Sequence, residues 1–205
     1  MGNSYNETHE DILQSAKLNF LKFGYERSNL RTICKGANVT TGAFYRHFKG
    51  KDEVFDELVS KAIKELKKIY YISEDTLYKT IEEQDINEFW DMNDEAILSF
   101  VDLIYKYYDE FRLVLLFSDG TKYEHFLHDI SDIETKNTLK FIKFLKEKNY
   151  NVKELSEKEI HMLINAYMSS IFEVIAHEYS QEEAFKCIKT VVEFYKIGWK
   201  SIFGL

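Results

Sequence analysis

Proline is absent from these 205 residues, and only eight are glycine. With no proline, no position has its φ locked or its backbone donor removed, so any segment is free to run as helix. The glycines are unevenly spread. Gly24, Gly36, Gly42 and Gly50 punctuate the first quarter, whereas Gly120 alone interrupts the span from Lys51 to Ile197. Short helices followed by long ones is the expected plan. Cysteine is scarce too. Cys34 and Cys187 both fall on apolar helical faces in different regions, which reads as two small buried residues in a reducing cytosol rather than a disulfide. Long apolar runs are missing, and the longest, Leu113 to Phe117, is far too short to span a bilayer. The opening MGNSYNETHED has neither the positive start nor the apolar centre of a signal peptide. A soluble cytoplasmic protein with no membrane partner is expected.

Against these absences, 45% hydrophobic and 30% charged residues are ordinary for a globular chain with a sizeable core. The net charge is −8, but residues 1–60 hold eight basic and eight acidic side chains, so the whole excess lies beyond them. Inside that balanced quarter, the stretch from Arg27 to Lys51 carries Arg27, Arg31, Lys35, Arg46, Lys49 and Lys51 and no acid at all. Its apolar residues are spaced for two short helices: Leu30, Ile33 and Cys34 for the first, Val39, Ala43, Phe44 and Phe48 for the second. Between them Lys35-Gly36-Ala37-Asn38 supplies two residue types that tolerate positive φ. A solvated basic loop has no need of embedded apolar stripes. Two short helices, a tight turn and local positive charge on an acidic molecule describe a helix-turn-helix that docks on duplex DNA.

Along the chain, a first helix is expected over Thr8–Phe23 with Thr8 and Asp11 as a capping box, then Leu30–Lys35 capped by Ser28 or Asn29, and Thr41–His47 capped by Thr40. A long fourth helix opens at Lys51 and runs to about Ile69; the polar 73–85 segment reads as loop or frayed end. Helices follow over Asn87–Tyr108, Phe111–Phe117 and Tyr123–Lys148, then one opening on the capping pair Ser156 and Glu159. The last carries Phe185, Ile188, Val192, Tyr195, Trp199 and Ile202 at spacings of three and four, the seam of a helix pair or bundle. The expected class is all-α, about nine helices without sheet, divided into a DNA-binding segment 1–51 and a helical remainder 52–205.

The N-terminal segment resembles the TetR family of bacterial transcriptional regulators. The residues that carry the likeness are Ile12-Leu13-x-x-Ala16, Phe20, Phe23-Gly24-Tyr25, Leu30-Arg31-x-Ile33, Ala37-x-Val39 and Gly42-x-Phe44-Tyr45-x-His47-Phe48-x-x-Lys51. Asn38 stands where the family usually has Gly, and Cys34 where it usually has Ala; both remain compatible with a tight turn and a small packed side chain. The resemblance implies a homodimer that binds an operator, pairs its last two helices with those of the partner in a four-helix bundle, and holds a small-molecule effector in its middle helices.

Candidate DNA contacts are Arg31, Thr40, Thr41, Gly42, Tyr45, His47 and Lys51. Thr41, Gly42 and Tyr45 lie at the start and on the open face of the recognition helix, where a missing side chain permits close approach and a hydroxyl reaches bases or phosphate. Thr40 caps and adds a hydroxyl; Arg31, His47 and Lys51 match family positions that contact bases or phosphate. Sixteen Phe, fourteen Tyr and two Trp exceed what the core needs, and Trp90, Phe100, Tyr107, Phe117, Phe126, Phe141 and Tyr167 are candidates to line an apolar cavity for a flat or greasy effector. No cofactor and no metal ligand is assigned. The competing reading is an all-helical metal-dependent enzyme built on His125 and His128, three residues apart, or on Glu173 and His177, four apart; neither pair repeats the Glu-x-x-His spacing of helical di-iron sites.

Overall fold

A computed structural model describes the backbone of residues 4–83 and 94–205 and the side chains of residues 4–68 and 95–205. Nine helices and no strand occur among the described residues: α1 Tyr5–Phe23, α2 Leu30–Gly36, α3 Thr41–Phe44, α4 Lys51–Glu83, α5 Asp94–Lys106, α6 Tyr108–Leu116, α7 Phe126–Glu147, α8 Glu157–Ala176 and α9 Gln181–Phe203. They form two compact units, Met1–Glu65 with Tyr107–Glu124, and Leu66–Lys106 with His125–Leu205.

In the first unit, α1 begins three residues before the expected Thr8. Ser4 and Glu7 form the capping box instead: the Glu7 amide donates to Ser4 Oγ, and the Ser4 amide to the Glu7 carboxylate. Ile12, Ala16 and Phe20 on one face of α1 are buried, as are Ile33 of α2, Phe44 of α3 and Phe55 of α4. Phe20, Tyr25 and Phe55 stand 5.4–5.5 Å apart, ring centroid to ring centroid, Tyr25 meeting Phe55 edge to face and the other two pairs tilted. Lys17 on α1 pairs with Asp109 and Glu110 of α6 at 3.0 and 2.9 Å, and the Tyr25 amide donates to the Phe117 carbonyl. The expected helix-turn-helix segment therefore shares its core with the first part of α4 and with α6.

Helix α4 continues to Glu83, into the polar 73–85 stretch expected to be loop or frayed end, whose last two residues lie outside the described ones. Polarity alone does not stop a helix where neither proline nor glycine intervenes.

In the second unit α7 packs along α8, and α9 packs on both α5 and α8. Ile160, Ile164, Met168, Ile171, Phe172 and Ile175 bury the face of α8 that Ser156 and Glu159 start, through the capping box read from the sequence. Ser180 and Glu183 begin α9 in the same way. Ile188, Val192 and Trp199 of the expected α9 seam are buried within the chain itself. Cys34 is buried as expected, but Cys187 is exposed. It lies on a second α9 stripe with Phe194 and Ile197, 73% and 75% exposed, which nothing among the described residues covers.

Candidate nucleic-acid interface

Asn29 accepts the Arg31 amide at 2.8 Å and begins α2, so of the two expected caps it is the one used; Ser28 is buried and donates its hydroxyl to the Gly24 carbonyl. The turn into α3 closes with the Asn38 amide on the Lys35 carbonyl and the Val39 amide on the Cys34 carbonyl. Asn38 takes φ +54°, the left-handed conformation expected of it, and Gly36 does not. Gly36 is required for space: a Cβ there would stand 2.3 Å from Ser15 Oγ, which is itself fixed on the Ile33 carbonyl at 2.8 Å.

Thr40 caps α3, its Oγ1 accepting the Ala43 amide at 3.1 Å, which leaves the hydroxyl proton for another partner. Helix α3 closes at Phe44, and tighter i→i+3 bonds from Arg46 and His47 continue the coil to the expected end. Phe44 and Phe48 anchor one side in the core while Arg31, Thr40, Thr41, Gly42 and Arg46 are exposed, as is Tyr45 at 58%. Around Gly42 an added Cβ would meet nothing closer than Thr40 Oγ1 at 3.9 Å, so the protein itself has room for a side chain there.

His47 and Lys51 are held differently. The His47 ring stacks on Tyr5 with centroids 4.1 Å apart, and its Nδ1 is buried without a hydrogen-bond partner among the described residues. Burial first, then the neighbouring His9 and Arg46, hold its pKa below the usual histidine value. Lys51 sends its ammonium back to the carbonyls of Tyr25, Glu26 and Ser28 at 2.8, 3.2 and 3.4 Å and sits 4.1 Å from the Tyr25 ring centre. A cation in the first turn of α4 opposes the helix dipole; turned away, it fastens the α1–α2 connection instead. Asp52 and Glu53 supply the acidic first turn, Asp52 accepting the Tyr25 hydroxyl and Glu53 the Lys49 amide.

The described aromatic candidates fall in both compact units. Phe100 and Phe126 both meet Phe172, at 6.3 and 6.5 Å between centroids; Phe141 packs on Phe203, and Tyr167 on Tyr195. Tyr107 and Phe117 fall in the other compact unit, and Trp90 lies outside the described residues. A groove of about 490 Å³ in the first unit is lined by Lys49, Asp52, Glu53, Asp56 and Lys122 with Phe55 and Tyr123, and by none of the seven. Of the polar pairs, Glu173 and His177 meet at 2.7 Å on the exposed end of α8. His128 lies against Asp132 on its own helix and against His161 on α8. Neither Asp132 nor His161 was legible as a partner, because the meeting is made by packing α7 against α8. The only sequence signal was the spacing of four between His128 and Asp132.

No helix among the described residues is long and apolar enough to cross a membrane. Residues 12–58 match the sequence model of bacterial regulatory proteins of the tetR family. Over 56 residues the chain is 41% identical to the uncharacterized HTH-type transcriptional regulator YhgD of Bacillus subtilis, and equally to the HTH-type transcriptional repressor BepR of Brucella suis. These matches cover 27% of this chain, and 29% and 27% of those proteins. Over 52 residues it is 35% identical to a probable acrEF/envCD operon repressor of Escherichia coli, 25% of this chain and 24% of that one. The chain thus aligns with less than a third of the length of these curated relatives. A protein described as a TetR-family transcriptional regulator from Syntrophomonas wolfei shares the fold, with a TM-score of 0.55 over 95% of this chain and 97% of that one, at 16% identity. The motif residues, the helix-turn-helix they build and the match agree over residues 12–58: this segment is similar to bacterial regulatory proteins of the tetR family.

Proposed function

We propose that this chain is a ligand-responsive transcriptional repressor that binds a palindromic operator as a homodimer. The observation that carries the reading is the open face of α3: Thr41, Gly42 and Tyr45 stand free on a helix whose other side is pinned by Phe44 and Phe48. Exposed Arg31, Thr40 and Arg46 border that face, as a major-groove reader requires. Residues 1–51 do the reading and residues 52–205 dimerise and bind effector. Thr41, Gly42 and Tyr45 meet base edges and the groove wall, Arg31, Thr40 and His47 meet bases or phosphate, and Lys51 positions the others by fastening the turn.

The uncovered α9 stripe of Phe194 and Ile197, with exposed Met162 on α8, supports pairing of the last two helices across a two-fold axis. An apolar or aromatic effector is the ligand class that suits Phe100, Phe126, Phe141 and Tyr167 of the second unit. Regulation of DNA in a bacterial cytoplasm follows; the competing enzyme reading draws less support, since Glu173 and His177 form a solvated pair at a helix end.

The test is fluorescence anisotropy of full-length protein on duplex DNA from upstream of its own gene, at 50 and 200 mM salt. Specific binding at low salt that weakens steeply at the higher salt is expected, because phosphate contacts release counterions. A folded dimer that shows no preference for that duplex over random sequence removes the reading.

A further inference from the structure

The packing of α7 on α8 assembles a cluster that DNA binding leaves unused. His128 and Asp132 are one turn apart on the same face of α7, and His161 faces them from the second turn of α8. Asp132 stands between the imidazoles, with one carboxylate oxygen 3.7 Å from His128 Nε2 and the other 3.4 Å from His161 Nδ1. All three ligand atoms lie within 4.8 Å of one another. Bonds of about 2.1 Å from a tetrahedral ion hold neighbouring ligand atoms about 3.4 Å apart, a spacing that each imidazole already approaches to one or the other Asp132 oxygen. The side chains are 60%, 46% and 31% exposed, so water can complete the coordination and small rotations can close the triangle.

Thr135 adds an independent indication. Its hydroxyl proton is committed to the Ser131 carbonyl at 2.7 Å, so the oxygen facing His161 Nδ1 at 3.3 Å presents lone pairs. Asp132 Oδ1 presents lone pairs as well. His161 Nδ1 thus faces two oxygen lone-pair donors, a place that its own Nδ1 proton fills in one tautomer and that a metal ion can fill in the other.

We propose that His128, Asp132 and His161 bind one divalent first-row transition metal ion of the imidazole-preferring class, such as Zn²⁺. Two imidazoles and one carboxylate suit that class over Mg²⁺ or Ca²⁺, which take all-oxygen sets. Because the ligands come from two helices, the ion cross-links α7 to α8. The proposal stands apart from the operator reading, since its readout is metal uptake.

Chelator-stripped full-length protein is titrated with ZnCl2 by calorimetry and then melted with and without zinc. One ion per chain is expected, with a raised unfolding midpoint. His161→Ala and Asp132→Asn each weaken uptake at least about tenfold, since even outer-shell changes at metal sites cost that much. Both abolish the zinc-induced midpoint shift. His9→Ala and His177→Ala leave affinity within about twofold, and MgCl2 gives no uptake. His128→Gln, at the most exposed ligand, repeats the loss should His161→Ala melt before titration. The proposal is overturned by absence of stoichiometric zinc, by uptake that survives Asp132→Asn and His128→Gln, or by uptake that tracks His9 or His177.

Discussion

Two glycines of the reading head separate folding from recognition. Gly36 is closed on the protein side by Ser15 Oγ, whereas Gly42 has open space around its missing Cβ. Gly36→Ala is expected to cost about 1–3 kcal/mol through overpacking, partly offset by the better helix propensity of alanine. In a Ser15→Ala background, where the obstructing oxygen is gone, the same change costs much less; urea melts of the four proteins measure the coupling. Gly42→Ala behaves in the opposite way. Stability holds or rises by up to about 1 kcal/mol, while operator affinity falls by about tenfold or more because the new methyl meets the groove wall. A variant at Gly42 that melts early, or one that binds normally, assigns that glycine to the fold or to neither role. Residue identity reveals some of this and conceals the rest. Asn38 announced its left-handed turn because few side chains tolerate that backbone. Gly36 gave the right turn for the wrong reason, since its need for space comes from Ser15, far away in sequence. Cys187 was read as buried because its helix face is apolar, but which face a chain covers depends on packing that sequence spacing does not show.

At the level of elements, the start of α4 is tied to the α1–α2 connection by Lys51 and by Tyr25, whose hydroxyl donates to Asp52. Lys51→Met keeps the stem over the Tyr25 ring and removes the ammonium from three carbonyls. A loss of about 1–2 kcal/mol is expected, the scale of charge-assisted hydrogen bonds at a half-exposed site. Operator binding weakens while its salt dependence stays the same; loss of a phosphate contact would instead lower the salt slope by about one. Further along α4, Asp56 joins Lys122, at 2.5 Å, and the Tyr123 hydroxyl. The lysine and then the tyrosine hold the Asp56 pKa below its usual value. Its stabilising effect is therefore complete above the ordinary carboxylate pKa of about 3.9 and is lost as pH falls through the lowered one. Burial, then the Asp56 hydrogen bond, push Tyr123 up to about 12, so its effect is complete below the ordinary value of about 10 and disappears as pH climbs toward 12. The stability advantage of the parent over Tyr123→Phe should shrink between pH 10 and 12 in urea melts; a constant difference contradicts the assignment. Helix existence was readable throughout, because unbroken apolar periodicity needs no tertiary information. Ends were less so. The Ser156/Glu159 box was recognised, but Ser4/Glu7 pre-empted Thr8/Asp11, and α4 ran into a polar stretch that held no breaker.

For the whole molecule, charge and symmetry decide how the reading head is used. A balanced first 60 residues and an excess of −8 beyond them confine phosphate attraction to the segment that carries α2 and α3. One short segment offers few contacts, which is why the proposed operator reading calls for two heads and the proposed dimer. The sequence displayed the α9 seam that closes inside the chain but not the second stripe that stays open, since both are apolar and only the fold tells them apart. Phe194 and Ile197 are one turn apart and almost bare, so replacing them removes little packing from the single chain. Phe194→Glu with Ile197→Glu should leave helicity and thermal midpoint at high dilution nearly unchanged, while placing like charges against one another across a two-fold interface. The parent is expected to sediment as a dimer and the double variant as a monomer. Operator affinity should then fall by at least about 100-fold, because the second head no longer binds at the high effective concentration that linkage provides. The half-site affinity of the monomer should match that of the parent measured on a duplex with only one half-site. If the variant remains dimeric, the subunits meet through some other surface, and the bare α9 stripe serves another purpose.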